Sequence, residues 1–411
     1  MPTLFQINAA CNCGSTGRIV EQIGLLARTH GWSCFVAHSW RYRSKTELNS
    51  IQVCSSWEEK AHILYSTLFD GQGLGSYFGT KRLIRVMEDV KPDIVHLHNI
   101  HGYFINYPLL FRFLSRAGIP VVWTLHDCWT FTGHCVYFDK VGCSKWKHGC
   151  SECPQIKEYP RSMFDFSTRN FCYKQEYFPK VKNITFVPVS SWLNNLLKES
   201  FLGGYPSVVI HNGIDLKKFK NTQNTFRKNN GLSNKFVILG VANGFGKRKG
   251  LDDFIKLRSL LDNSFVIVLI GLNENEMKSL PIGIIGKSRT KDQKELIDIY
   301  SSADVYLNPT YEDNFPTTNI ESLACGTPVI TYNTGGSPEA IDSQTGIVVT
   351  KGDLNGLIMA INKIKQNGKS YYSEACRERA EKYYDKNERF LEYMVLYNKI
   401  LKKNNCKRNV Q

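Results

Sequence analysis

In the stretch PTYEDNFPTTNIESLACGTPVITYNTGGSPEAI two acids, Asp313 and Glu321, stand with seven residues between them, and Glu312 lies one place before the first. The run before them, DVYLNPT, has strand character, and the run after them reads as a short helix preceded by threonines able to cap it. A helix start offers backbone N–H groups that no intrahelical bond uses, and such groups bind phosphate. Gly335 and Gly336, after the next apolar run, let a second backbone approach closely. A carboxylate one or two turns along can hold sugar hydroxyls through both oxygens. The segment thus pairs a grip for phosphate with a grip for a polyol; its plainer alternative is a solvated acidic loop ahead of a core helix.

A second block, KFVILGVANGFGKRKGLDDFIKL, sets Lys247, Arg248 and Lys249 directly before Gly250. Cations so placed stabilise charge that develops on a departing diphosphate; otherwise they line a basic surface loop. In the first half, NCGSTGRI puts Gly14, Ser15, Thr16 and Gly17 after an apolar run, a turn whose amides can meet phosphate or simply join strand to helix. TLHD ends another run in His126 and Asp127, and HLHNIHGYFINY ends a third in His98, Asn99 and His101. His98, Asn99 and His101 read as contacts for a second substrate rather than metal ligands, and His126 either faces a ligand or is a satisfied interior histidine.

Cys135, Cys143, Cys150 and Cys153 crowd a polar loop with His134 and His148. A terminal C-x-x-C with two further thiols is compatible with tetrahedral structural zinc, although the first two spacings are long; scattered reduced thiols and a redox role are the alternatives. Most of the other cysteines of the thirteen are scattered, and the start of the chain lacks the basic segment of an export signal, so reduced thiols and a cytoplasmic protein are expected.

The elements that must position these residues alternate short apolar runs with helix-length segments. LFQINAA, CFVAHS, DIVHLHN, PVVWTLHD, ITFVPVS and SVVIHNG form one series; KFVILGVAN, SFVIVLIGL, DVYLNPT and PVITYNT form another. That rhythm predicts two α/β domains with parallel sheets and βαβ crossovers. The boundary is expected near residue 200, before the polar stretch KKFKNTQNTFRKNNGLSNK, and a long helical pattern follows Gly368. In such sheets ligands gather beyond the carboxyl ends of the strands, where several of the residues named above fall. A chain of 411 residues with 42% apolar and 22% charged residues can bury such cores. Its net charge of +15 calls for an anionic partner, but no nucleic-acid-binding pattern accompanies the spread of basic residues.

The two acids seven residues apart, followed by ESLACGTPVI, resemble the retaining glycosyltransferases of GT-B fold in family 4. The resemblance implies two Rossmann-like doubly wound parallel-sheet domains facing a central cleft, with a long C-terminal helix. Residues 1–200 would then form the acceptor domain, carrying the cysteine-rich loop at about 128–155. Residues 201–385 would form the nucleotide-sugar domain, and 386–411 a helix and basic tail. It further implies that Glu321 holds the donor ribose and that Asp313, a glutamate in most relatives, lies by the donor sugar near His126. Lys249 matches the family's diphosphate lysine; Asn243 stands where an arginine is frequent, leaving Lys247 or Arg248 to add the second charge. Gly17 and Gly336 are expected at the donor, and HNGID at 211–215 at the passage between domains.

The implied reaction moves a sugar from a nucleotide-diphosphate donor to a saccharide acceptor with retention, by attack on the face the diphosphate leaves. No cofactor is required for it, and no Asp-x-Asp metal grip occurs in the sequence. Aromatic and basic residues interleave in YPLLFRFLSR and MFDFSTRNFCYKQEYFPKVK. With the positive charge, they point to an anionic membrane surface, a lipid-linked acceptor and bacterial surface-polysaccharide assembly at the inner face of the plasma membrane. Two alternatives remain at this level: a nucleotide-sugar epimerase of the same fold, and a nucleic-acid-binding protein without enzymatic activity.

Overall fold

The computed structural model describes residues 1–408; the last three positions of the expected basic tail lie outside the described residues. The chain divides into two compact units, Met1–His211 together with the stretch from Phe390 onward, and Asn212–Arg389.

The first unit holds strands β1 (Thr3–Ile7), β2 (Ser33–His38), β3 (Asn49–Gln52), β4 (Ile94–Leu97), β5 (Val121–Leu125) and β6 (Ile184–Pro188) in the order β3-β2-β1-β4-β5-β6. The second holds β7 (Phe236–Val241), β8 (Phe265–Ile270), β9 (Ile284–Lys287), β10 (Val305–Asn308), β11 (Val329–Tyr332) and β12 (Gly346–Val349) in the order β12-β11-β10-β7-β8-β9. Every pairing is parallel. Each sheet has the doubly wound order, which reverses direction beside its first strand: between β1 and β4, and between β7 and β10. Central strands such as FVIVLI and VVWTL are buried at every residue, because helices cover both faces of a parallel sheet.

Three short strands escape the sequence reading: β3, β9 and β12, each four residues long and each at a sheet edge. SVVIHNG, expected as a strand, contributes only a bridge beside β6: Val208 and Ile210 donate backbone bonds to Phe186 and Pro188. Proline has no N–H with which to continue that ladder.

The boundary expected near residue 200 falls at His211/Asn212, and the helix expected from residue 386 is present as Lys386–Arg408, joining the first unit from Phe390 onward. The pattern after Gly368 forms two helices, Lys369–Tyr384 and Lys386–Arg408, interrupted where Asp385 takes extended backbone angles. HNGID forms a parallel bridge to that break rather than a turn: Ile214 N–H donates to Tyr384 O and Lys386 N–H to Ile214 O, at 2.8 and 3.0 Å. Gly213 lies so close to Lys386 that a Cβ would stand 2.5 Å from its Cα.

From Phe390 onward the last helix belongs to the first core. Phe390, Tyr393, Met394 and Tyr397 are buried with Ile19, Val20 and Ile23 of helix Gly14–Thr29 and with Ile94 and Val122 of the sheet. Tyr393 and Tyr397, one turn apart, also supply hydroxyls: Tyr397 to His96 Nδ1 at 2.7 Å and Tyr393 to Thr124 at 3.1 Å, while Thr124 meets His96 Nε2 at 2.8 Å. On the other face, helix Tyr107–Ala117 buries Tyr107, Leu110, Phe111 and Leu114. That spacing of three, four and seven makes YPLLFRFLSR a core-facing helix, not the membrane-facing segment its composition led us to expect.

Replacing Tyr397 by Phe removes one hydroxyl and leaves a buried imidazole nitrogen without a partner. The expected cost is about 1–3 kcal/mol of unfolding free energy in urea denaturation, with the far-ultraviolet spectrum unchanged.

Candidate active site

In the second unit the charged groups converge just beyond β10. The Lys249 ammonium pairs with the Asp313 carboxylate, both side chains mostly buried but reachable. Their loops are fixed by backbone contacts: Tyr311 N–H donates to Arg248 O at 2.9 Å, and the Arg248 guanidinium donates to Glu312 O at 3.0 Å. Gly250, in left-handed conformation at φ +73°, sits against Pro309, whose carbonyl oxygen would lie 2.3 Å from any Cβ there. No other residue type allows that approach, which sets Lys249 at the carboxyl end of β10. Glu312 is itself buried, so Asp313 is the acid turned toward the lysine.

Asp253, in the first turn of helix Leu251–Leu260, accepts the hydroxyls of Tyr311 and Tyr332 at 2.9 Å each, locking the loop after β10 to the end of β11. Burial, with the Asp253 carboxylate beside it, pushes the Tyr311 hydroxyl up to about 12 and keeps it a donor.

Helix Thr317–Ala324 begins at Pro316 with no side-chain cap. The threonines expected to cap it lie inside its first turn, so its leading amides are left to other partners. Glu321 on this helix accepts the Tyr300 hydroxyl at 3.0 Å. A buried chain of amides and hydroxyls fixes the helix start: Asn308 donates to Asn319, Asn319 to Ser337 O and Oγ, and Ser337 Oγ meets Thr331 at 2.7 Å. Gly335, at φ +55°, and Gly336 turn the chain immediately before Ser337.

The first unit gathers its histidines at the ends of β4 and β5. His98 Nδ1 meets His126 Nε2 at 3.2 Å, and His96 lies ring to ring with His98 at 4.0 Å. His101 Nε2 meets Asp127 at 2.9 Å and its Nδ1 meets the Tyr159 hydroxyl at 3.1 Å. Burial holds His96 and His98 well below the ordinary imidazole range and His126 at about 4, so all three are neutral near pH 7. Burial alone would raise the Asp127 carboxyl; His101 beside it and the Trp129 N–H bring it below its usual value.

His98 is sealed at 1% exposure and His101 nearly so at 8%, so the role the structure shows for both is to hold His126 and Asp127 in place rather than to present a surface to a second substrate. Asn99 stays partly exposed, its N–H on Asn8 Oδ1 and its carbonyl accepting from Ala9. Gly17 is buried one turn into its helix, where a Cβ would stand 3.2 Å from Ala10. It therefore serves the packing of the helix on the loop after β1, and the unspent amides at that end are those before it. Cys135, Cys143, Cys150 and Cys153 line one cavity with His134, in the loop that follows His126 and Asp127.

Sequence reasoning missed Asn8, His96, Tyr300, Asn319 and Asp253. Asn8 carried a signal, as the first polar residue after β1; the others sit inside elements where polar residues are ordinarily read as exposed.

A sheet of this order occurring twice, each with polar groups beyond its strand ends, matches the two-domain GT-B fold. Residues 55–218 match Glycosyltransferase Family 4, and residues 222–383 match Glycosyl transferases group 1. The chain belongs to this glycosyltransferase family, the two matches falling one on each unit. It is similar to the putative colanic acid biosynthesis glycosyl transferase WcaC of Escherichia coli (strain K12), at 23% identity over 72% of this chain and 73% of that one. It is also similar to the N,N'-diacetylbacillosaminyl-diphospho-undecaprenol alpha-1,3-N-acetylgalactosaminyltransferase of Campylobacter jejuni, at 23% identity over 52% and 58%. Among solved structures, HepE of Anabaena in complex with UDP shares the fold, with a TM-score of 0.67 and 13% identity over 97% and 100% of the two chains.

His126 and the buried His62 bind a proton at about 4 in the fold against an ordinary 6.5. Between those values the unfolded chain holds more protons, so the stability that the neutral rings contribute is complete above about 6.5 and lost as pH falls toward 4. The urea midpoint should be level near neutrality and fall on acidification over this interval, and His126→Asn should make the fall shallower. An identical pH profile for the variant would rule out the neutral, buried state of this ring.

Proposed function

We propose that the chain transfers a sugar, with retention, from a nucleotide-diphosphate sugar to a lipid-linked saccharide in the assembly of a bacterial surface polysaccharide. The observation that carries this reading is the Lys249–Asp313 pair at the carboxyl end of β10, held by the Gly250–Pro309 contact at the point where the strand order reverses. A bound donor presents its diphosphate to Lys249 and Arg248, and the carboxylate of Asp313, relieved of the lysine, turns to the sugar hydroxyls. Tyr300 orients Glu321 for the ribose diol, and the first turn of helix Thr317–Ala324 adds its amides and positive dipole end.

In this reading His126, neutral at working pH, hydrogen-bonds the sugar without adding charge. The departing diphosphate oxygen takes the proton of the acceptor hydroxyl, which attacks the face being vacated. The cations stabilise the charge that accumulates on the leaving group. HepE is recorded with UDP, and the Campylobacter relative is named for a diphospho-undecaprenol saccharide; both favour this class of donor and acceptor. WcaC favours a place in surface-polysaccharide synthesis.

No described helix is long and apolar enough to cross a membrane. The first unit exposes Trp57, Phe69, Met163, Phe164 and Phe166, and Met163 N–H donates to Thr67 O at 2.7 Å, joining the two segments. Lys60 lies over Trp57 and Arg169 over Phe166. Aromatic rings interleaved with cations suit an interface with anionic lipid, where the acceptor's lipid would reside.

A donor at 100 times its Kd stabilises a protein by about 2.7 kcal/mol, so a thermal-shift screen of UDP-, GDP- and ADP-sugars should return at least one clear response. Glu321→Ala should weaken that donor by roughly 10- to 100-fold with the melting curve of the free protein retained; unchanged donor affinity would refute the assignment. In flotation assays the protein should rise with anionic vesicles at low salt and be released at high salt. Protein left behind at low salt would remove the membrane from the proposal.

A further inference from the structure

The cysteine loop follows directly on His126 and Asp127 and meets that cluster through Trp129 and Tyr159, but its cysteines line a separate cavity that contains none of His96, His98, His101 and His126. It runs with little regular structure from β5 to helix Ser167–Tyr177, broken only by two single turns at Trp129–Phe131 and Lys145–Lys147. Within it Cys135, Cys143, Cys150 and Cys153 all line a single cavity of about 20 Å³, enough for one water- or ion-sized sphere. Cys150 Sγ accepts the Gly133 N–H at 3.1 Å, and Gly133 lies so close to Cys150 that a Cβ would stand 2.7 Å from the cysteine's own. None of the four is in a disulfide.

A second observation points into the same cavity. His134 also lines it, with a side chain that is fully buried. Its Nδ1 meets Asp70 Oδ1 at 2.6 Å, and because an ionised carboxylate only accepts, Nδ1 carries the proton. Its Nε2 is buried and has no hydrogen-bond partner. A carboxylate on one ring nitrogen and a bare, sealed second nitrogen is the arrangement that orients a histidine toward a metal. Leaving such a nitrogen without a partner is unfavourable, a cost that a metal–ligand bond removes.

We propose that this loop is a structural zinc site, thiolate-rich and tetrahedral, drawing its ligands from Cys135, Cys143, Cys150, Cys153 and His134 Nε2, with Asp70 as the carboxylate behind the histidine. Zinc suits this set, since soft sulfur with imidazole and no redox requirement selects it over oxygen-seeking ions. No group of three or more His, Cys, Asp or Glu among the described residues stands in metal-holding geometry. The sulfurs therefore surround the cavity rather than meet at one point, and loading draws them inward. Binding would fasten a long irregular segment to the first unit, in which Asp70 already anchors Phe166 through its other oxygen at 3.3 Å.

The test is metal analysis of the full-length protein, purified without chelator from cells grown with zinc. About one equivalent of zinc per chain is expected, together with the thiolate charge-transfer bands and tetrahedral d–d bands of cobalt(II) after exchange. Cys150→Ser and His134→Ala should each lower the retained metal by at least tenfold after dialysis against a competing chelator. Below about a tenth of an equivalent of zinc, or a Cys135–Cys153 disulfide found by mass spectrometry in protein alkylated at lysis, would overturn the proposal. If the variants fail to fold, the wild-type stoichiometry and cobalt spectrum decide alone.

Discussion

A parallel sheet covered on both faces by helices has nowhere to put polar chemistry except at the ends of its strands. Both sheets of this protein are built that way, with strands such as β5 and β8 buried along their whole length. Every strand in a sheet points the same way, so the residues that follow the strands gather at one edge. At the place where the strand order reverses, adjacent connections leave in opposite directions and open a crevice. Lys249 and Asp313 come from the loops after β7 and β10, the two strands that flank that place in the second sheet. Asn8 and Asn99 follow β1 and β4, its counterpart in the first.

Backbone contacts turn this general geometry into a specific one. Gly250 against the Pro309 carbonyl brings a cationic turn onto the end of β10, and Asp253, one helical turn later, ties the hydroxyls of two strand-end loops together. The Asn308–Asn319–Ser337–Thr331 chain does the same for the helix that carries Glu321. Each is a buried polar network with its members paired, the condition under which such groups fix one arrangement instead of destabilising the core.

The first unit uses a different device. His96, His98 and His126 are kept neutral by burial, and the last helix of the chain supports His96 through Tyr397 directly and through Tyr393 by way of Thr124. From Phe390 the helix therefore belongs to the first unit, although the whole second unit, Asn212–Arg389, separates it in sequence from the rest of that core.

The sequence by itself determined the α/β class, the two-unit plan and the residues at the strand ends. Apolar runs of strand length, turn glycines and the Asp313-to-Glu321 spacing are local signals, written in adjacent positions. It also marked the cysteine loop and the choice of Asp313 over Glu312. What it could not determine depends on partners distant in sequence. Edge strands β3, β9 and β12 are short and weakly patterned, and a neighbouring strand's hydrogen bonds define them. YPLLFRFLSR read as membrane-facing until packing against Trp123 and Phe178 claimed its apolar side. His98 and His101 looked like ligand contacts, and only burial made them supports for His126 and Asp127. The last helix's allegiance, and the pairing of Asp70 with His134 across sixty-four residues, were decided by tertiary structure alone. A side chain's exposure and its partner across the fold are not encoded in its immediate neighbours.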